Sequence, residues 1–177
     1  MPPSAEPPDA PSFEKLMNSA KRSAVHLEMR DVYGVDEEDG EFEHWRRTGR
    51  RRQDPGYWAD WFDLIGAAVA RGVSVRRARI VSEPVTEYIR FEHAGTANII
   101  AAGELVRWVP RRLVSDVAFP GNDFWLFDHQ IVRFGFFSGD GAYLGEEWTD
   151  QPCVAHLCAT AFDVVWERGI PHAEYKV

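Results

Sequence analysis

The sequence is poor in cysteine, in long apolar runs and in positive charge. Cys153 and Cys158 are the two cysteines among 177 residues, too few for a disulfide framework and consistent with a reducing compartment. No apolar run approaches the roughly 18 residues that a membrane span needs. The N-terminus also lacks the basic start and the apolar core of a signal peptide. We therefore expect a cytoplasmic protein without a membrane segment.

The formal net charge of −8 disfavours a general nucleic-acid surface, because such a surface neutralises phosphates with Lys and Arg. A basic run nevertheless follows the acidic stretch between Asp36 and Glu41. It forms either a solvated surface neutralised by those carboxylates or a contact for nucleic acid or a partner. The basic residues are Arg46, Arg47, Arg50, Arg51 and Arg52.

Apolar and aromatic residues are plentiful. Hydrophobic residues make up 45% of the chain and aromatic residues 13%, with seven Trp, which predicts a true core. A chain of this length buries roughly 70% of its unfolded surface. Five prolines lie within residues 1–12, so we predict a disordered leader there and a single globular domain over 13–177.

Local patterns place helices and strands in alternation. Ser12 precedes apolar residues at helical spacing, and "WADWFDLIGAAVARG" predicts a helix ended by a left-handed Gly72. A strand follows in "VSVRRARIV", then a helix over Thr86–Ala102 and a strand in "LVRWV". Three further strands predict a meander, and a helix that begins at Pro152 carries one apolar stripe. The prediction is an α/β or α+β fold, a mixed twisted sheet with packed helices.

Signals for metals and cofactors are weak. Cys153, His156 and Cys158 offer three ligands where a structural zinc site takes four, and core packing explains them better. The stretch "GTANIIAAGE" has neither a phosphate-loop ending nor a dinucleotide-binding spacing. We predict no metal, no cofactor and no catalytic residue.

Polar residues collect near strand ends in the best-patterned part of the chain. Ligands of open α/β sheets bind at the carboxyl ends of strands, so these residues predict a site for a ligand or a partner. Structural ion pairs along one sheet edge are the alternative. Two acidic residues in "GNDFWLFD" extend the candidate set. The candidates are Glu83, Tyr88, Arg90, Glu104, Arg107, Arg111, Asp123 and Asp128.

The order of the motifs "EPVTEYIRFE", "AGELVRWVPR", "DFWLFD" and "PHAEY" resembles an actinomycete family of uncharacterised domains. The resemblance covers nearly all of the chain after the leader. Members of that family often lie beside helix-turn-helix regulators. The resemblance therefore implies a regulator protein as the partner and identifies no reaction.

A looser, fold-level resemblance is to one half of a phospholipase D-like domain. It is carried by an amphipathic helix, "ARGVSVR", a strand ending in Asp128, a hairpin and the final "FDVVWERGIP". Such enzymes carry His-x-Lys-x-x-x-x-Asp in each half. If Asp128 is the final Asp, Gly121 stands at the His position and Asp123 at the Lys position, so the resemblance implies a degenerate catalytic motif.

Together these features predict a non-catalytic sensing or protein-interaction module that works with a helix-turn-helix transcriptional regulator. A small-molecule ligand is compatible with it, and we do not expect this chain to bind DNA directly. The alternative is an enzyme of unassigned class that uses Glu83, Arg90, Glu104 and Asp128. A carboxylate with a perturbed pKa in a closed pocket favours the enzyme, and a flat exposed apolar patch favours the module.

Overall fold

The computed structural model describes residues 11–34, 36–52 and 58–177, and for residues 36–39 it describes the backbone alone. Most of the predicted leader, residues 1–10, and the side chains of the acidic stretch Asp36–Asp39 thus lie outside the described residues. The helices are α1 (Phe13–Ser19), α2 (Asp36–Thr48), α3 (Ala59–Ala70), α4 (Glu87–Ala101) and α5 (Pro152–Arg168). The strands are β1 (Ser23–Glu28), β2 (Ser74–Val81), β3 (Leu105–Pro110), β4 (Phe124–Phe127), β5 (Ile131–Phe137), β6 (Tyr143–Thr149) and β7 (Ile170–Pro171).

The seven strands form one mixed sheet in the order β6-β5-β4-β1-β2-β3-β7. β1, β2 and β3 are parallel neighbours, and the other pairs are antiparallel. This is the predicted mixed α/β architecture, and β4, β5 and β6 form the predicted meander. The two-residue strand β7 was not predicted, because it is too short to show a strand pattern and is recognised only by its pairing with β3.

Helix ends follow the predicted capping chemistry. The Ser12 side chain accepts a hydrogen bond from the Lys15 amide at 3.2 Å, and Thr86 does the same for the Ile89 amide at 3.1 Å. Gly72 follows α3 with φ of +89°, a backbone conformation that favours glycine. Pro152 lies in the first turn of α5, where its missing N–H removes no helical hydrogen bond.

The two faces of the sheet differ. One face packs on α5 through an apolar core that includes Val25, Leu27, Ala78 and Ile80. The other face packs on α1 and α3 at one end and on α4 at the other. Over the described ranges, no helix is long and apolar enough to cross a bilayer.

Candidate functional site

A cleft of about 530 Å³ opens on the face of the sheet opposite α5. It lies where β1 and β2 end and where the antiparallel strand β4 begins. Side chains of α1, α3 and α4 and the loop after β1 close it from above. Much of its wall is aromatic, with side chains of Trp58, Trp61, Tyr88, Trp125, Phe137 and Tyr143.

The floor of the cleft is charged because of the alternation of side chains along two neighbouring strands. His26 and Glu28 on β1 point into the cleft, whereas the intervening Leu27 packs toward α5. Arg77 and Arg79 on β2 follow the same alternation, and the parallel register sets them beside His26 and Glu28. Four polar side chains thus meet on one face of a central strand pair.

The two floor arginines are held by three carboxylates. Arg77 lies 2.5 Å from Glu28 and 2.6 Å from Glu104, which is fully buried just before β3. Arg79 lies 2.9 Å from Glu28 and 2.5 Å from Glu92 of α4. Burial acts to lower the pKa of both guanidinium groups, but the neighbouring carboxylates raise it above the ordinary value. Both arginines therefore stay charged, and each is already paired twice.

Asp123 lies at the entrance to β4, and its side chain is 5% exposed. One carboxylate oxygen accepts a hydrogen bond from the Met29 amide at 2.9 Å, and the other accepts one from the Tyr33 hydroxyl. Burial raises the pKa of Asp123 to about 6, with a further increase from Glu28. Among the residues that the structure describes, no Lys, Arg or His nitrogen lies within ion-pair distance of it.

His26 and Tyr33 complete the polar floor in neutral forms. The His26 ring stacks on Trp125 with centroids 4.4 Å apart, and its Nδ1 lies 3.3 Å from Glu28. Burial, then Arg77 and Arg79, hold the pKa of His26 well below its usual value. Burial together with Glu28 and Asp123 raises the pKa of Tyr33 well above its usual value, so its hydroxyl stays protonated and donates to Asp123.

The rim of the cleft also carries paired charges. Glu41 of α2 lies 3.6 Å from Arg51 and 3.3 Å from Arg52. The Arg51 guanidinium lies 3.8 Å from the centre of the Phe91 ring. It packs so closely on Gly95 that a Cβ there would come within 2.9 Å of it. Part of the basic run thus joins α2 to α4.

Two of the eight predicted site residues line the cleft. These are Tyr88 and Asp123, and Glu104 reaches the floor from behind through Arg77. Asp128 sits at the turn after β4 and accepts hydrogen bonds from the backbone amides of Lys21, Arg22 and Ser23. Burial acts to raise the pKa of Asp128, but these three bonds hold it below the usual value. The geometry gives Asp128 a structural role in joining the hairpin to β1.

The other four predicted residues lie elsewhere. Glu83 accepts a hydrogen bond from the Tyr175 hydroxyl at 3.2 Å. Arg107 donates to the Trp166 carbonyl at 2.6 Å, and Arg111 donates to the Met29 carbonyl at 2.7 Å. Arg90 is exposed on α4. The set proposed for an enzyme, Glu83, Arg90, Glu104 and Asp128, therefore does not converge on one pocket.

Sequence reasoning missed His26, Glu28, Arg77 and Arg79 as a group. The available signal was period-two spacing of charge within strands that are otherwise apolar, "HLE" and "RRARI". Charged side chains at alternate positions of an interior strand must face one another or a cavity. The local sequence pattern does not show that β1 pairs with β2, because the two strands are far apart in the chain.

The core packing expected for Cys153, His156 and Cys158 holds for Cys158 alone, because Cys153 and His156 face solvent. Cys158 is buried in the α5 core, where burial raises the pKa of its thiol to about 12. Cys153 is exposed in the first turn of α5. Within the described part of the chain, no group of three His, Cys, Asp or Glu side chains is arranged to hold a metal ion.

Two solved structures share this fold at low sequence identity. Nuc, a phospholipase D family member from Salmonella typhimurium, is 16% identical with a TM-score of 0.52, over 93% of this chain and 88% of Nuc. NucT from Helicobacter pylori is 12% identical with a TM-score of 0.53, over 89% of this chain and 87% of NucT. The fold-level resemblance to phospholipase D-like domains is thereby confirmed.

Comparison with curated proteins finds no match. The model of a domain of unknown function, DUF6879, matches residues 11–177, which is almost all of the chain. The protein therefore belongs to the DUF6879 family.

Proposed function

We propose that this chain is a non-catalytic sensing module, which binds a small ligand in the cleft and works with a helix-turn-helix transcriptional regulator. The observation that carries the proposal is the cleft itself. Its volume of about 530 Å³ lies within the roughly 300–1,000 Å³ of small-molecule sites, which typically combine apolar walls with a few polar groups. Aromatic walls over a floor of buried charges match that description.

The absence of catalysis is supported by the residues at the motif positions. Where phospholipase D-like enzymes carry a nucleophilic His and a phosphate-binding Lys, this chain has Gly121 and Asp123. Glycine supplies no nucleophile, and a carboxylate repels the phosphate that a lysine would stabilise. The fold is kept, while the groups that would perform phosphoryl chemistry are replaced.

Communication with a regulator follows from the elements around the cleft. Glu92 and Tyr88 of α4 line it, and Arg90 lies exposed on the same helix. A ligand that shifts α4 therefore changes a surface on which a partner can dock. The net charge of −8 supports a protein partner over DNA, and charged interface groups mainly set association rate and specificity.

The test is co-purification with a helix-turn-helix regulator encoded beside the gene, followed by calorimetry. Arg90→Ala is expected to weaken the complex several-fold, and added salt to slow association. Lys15→Ala, an exposed change on α1, is the matched control and should leave binding unchanged. Arg107→Ala is unsuitable as a binding test, because Arg107 supports the end of α5. If the protein forms no complex with any such regulator, the proposal of a regulator partner is refuted.

A second candidate is an acid–base enzyme. The observation in its favour is Asp123, a buried carboxyl whose pKa is raised to about 6, as expected of a general acid or base. Tyr33, which donates to Asp123, would then be its neighbour in the reaction. If the protein is an enzyme, it converts a co-purifying ligand into a product, and the Asp123→Asn variant loses this conversion. If it is a sensing module, it binds the ligand and releases it chemically unchanged.

A further inference from the structure

The floor of the cleft carries more negative than positive groups. Two guanidinium groups, of Arg77 and Arg79, face three carboxyl groups that line the floor, and Glu104 approaches Arg77 from behind. At the rim, Arg51 and Arg52 share Glu41, and Arg133 pairs with Glu146. The carboxyl groups that line the floor are Glu28, Glu92 and Asp123.

Asp123 is the floor carboxylate that forms no ion pair within the described residues, although the charge of Arg30 acts on it and lowers its pKa in part. Its two hydrogen bonds, from the Met29 amide and the Tyr33 hydroxyl, use about half of the roughly four acceptor sites of a carboxylate. A buried anion without a paired cation is costly. A cation brought by a ligand would offset that cost and use the remaining acceptor sites.

A chain of neighbouring aromatic rings begins at this carboxylate. Tyr33 contacts Asp123 directly, the Phe137 ring lies 5.1 Å from the Tyr33 ring, and Tyr143 lies 5.6 Å from Phe137. All of them line the cleft. Aromatic faces attract cations and stack on flat apolar groups. The floor offers an anionic ligand no comparable place, because Arg77 and Arg79 are each already paired with two carboxylates.

We propose that the ligand is a small aromatic compound bearing a protonated nitrogen, whose cation binds Asp123 and whose ring packs against Tyr33, Phe137 and Tyr143. This inference rests on the proposed ligand-binding function and specifies its chemistry. If Asp128 is the final Asp of the phospholipase D-like motif, the proposal also gives a reason for Asp123 at the position of the Lys.

The test uses three probes of similar shape: 1-naphthylmethylamine, 1-naphthylmethanol and the carboxylate 1-naphthaleneacetate. Binding to the full chain at pH 7.5 is measured by calorimetry and by ligand-observed NMR. The amine is expected to bind about tenfold or more tightly than the alcohol, as for a hydrogen bond to a charged group. The acetate is expected to bind most weakly.

Asp123→Asn keeps the side-chain shape and removes the charge. It should abolish the preference for the amine over the alcohol while leaving alcohol binding within about twofold. Asp163→Asn, an exposed change on α5 across the sheet, is the matched control and should retain the preference. Circular dichroism checks that both variants fold.

The outcomes separate the two proposals. Equal binding of the amine and the alcohol, tighter binding of the acetate, or an amine preference that survives in Asp123→Asn overturns the cationic ligand but leaves the cleft as a binding site. Failure of all three probes to bind at millimolar concentration overturns the proposed ligand site altogether.

Discussion

At the scale of single residues, burial of the Asp123 carboxyl group lowers the stability of the folded protein while placing an acceptor for a ligand in the cleft. Its pKa of about 6 means that the folded protein holds a charge at pH 7 that water would solvate better. Glu28 adds to this cost, while the Tyr33 hydrogen bond, the Met29 amide and the charge of Arg30 reduce it. Residues that keep a costly group at a binding site often do so for the ligand.

The first prediction is that Asp123→Asn stabilises the free protein at pH 8. The folded pKa lies above the ordinary value of 3.8, so the wild type regains stability as pH falls through about 6 toward 4. The difference in pKa corresponds to about 3 kcal/mol, an upper bound for the gain. Urea unfolding at pH 8 and pH 4.5 measures it. Asp163→Asn is the control, and equal effects of Asp123→Asn at both pH values would contradict the prediction.

The surrounding charges follow a different logic. Arg77 and Arg79 are buried, and each contacts two carboxylates. Removing one partner from such a network leaves an uncompensated buried charge, which costs more than an intact pair contributes. The network therefore fixes the shape of the floor, whereas Asp123 is the floor carboxylate left to bind a ligand.

At the scale of elements, α5 covers the face of the sheet opposite the cleft. Its buried side chains join those of β1, β2 and β4 in one core. Trp166 stacks on Phe162 with centroids 5.8 Å apart, and the Arg107 guanidinium lies 4.6 Å from its ring. α5 thus stabilises the strands that form the cleft floor by packing on their opposite face.

The second prediction concerns Trp166, which is 8% exposed. Trp166→Ala leaves a cavity between α5 and the sheet and should cost about 3–5 kcal/mol. That is a large share of the roughly 5–15 kcal/mol of a typical domain. Urea unfolding or the yield of soluble protein measures the loss. Leu157→Ala, at an exposed site on the same helix, should change the unfolding free energy by much less. A Trp166→Ala melting temperature close to that of wild type would show that α5 is peripheral.

At the scale of the whole molecule, the net negative charge and the pairing of the basic run both disfavour binding of nucleic-acid phosphates. The net charge is −8, and three of the basic-run arginines are held by carboxylates: Arg46 by Glu43 and Glu87, and Arg51 and Arg52 by Glu41. Of the acidic stretch that was expected to neutralise this run, Glu41 does pair with it, but Arg46 pairs outside that stretch and Arg51 packs on Phe91 and is not a solvated surface residue.

The third prediction is that the protein neither hydrolyses phosphodiesters nor binds DNA tightly. If Asp128 is the final Asp of the phospholipase D-like motif, Gly121 and Asp123 stand where the nucleophile and the phosphate-binding cation would be. The measurements are turnover of bis(4-nitrophenyl) phosphate and a gel shift with duplex DNA at low salt. Turnover that Asp123→Asn abolishes would contradict the first half. Tight, salt-dependent DNA binding that Arg50→Ala and Arg51→Ala abolish would contradict the second.

The sequence by itself determined the elements and the fold class. Caps at Ser12 and Thr86, the glycine after α3, the proline in α5 and the strand alternation all act within a few residues of the chain. Their physics is local, so it can be read from local pattern.

Tertiary structure alone decided which polar side chains meet. Glu28, Arg77 and Glu104 come from three segments, and only the parallel register of β1, β2 and β3 brings them into contact. Asp128 and Asp123 are five residues apart but have different environments. Asp128, in the turn after β4, accepts hydrogen bonds from backbone amides before β1, whereas Asp123, at the start of β4, lines the cleft. Contacts between distant segments depend on strand order and register, and a single sequence does not display either.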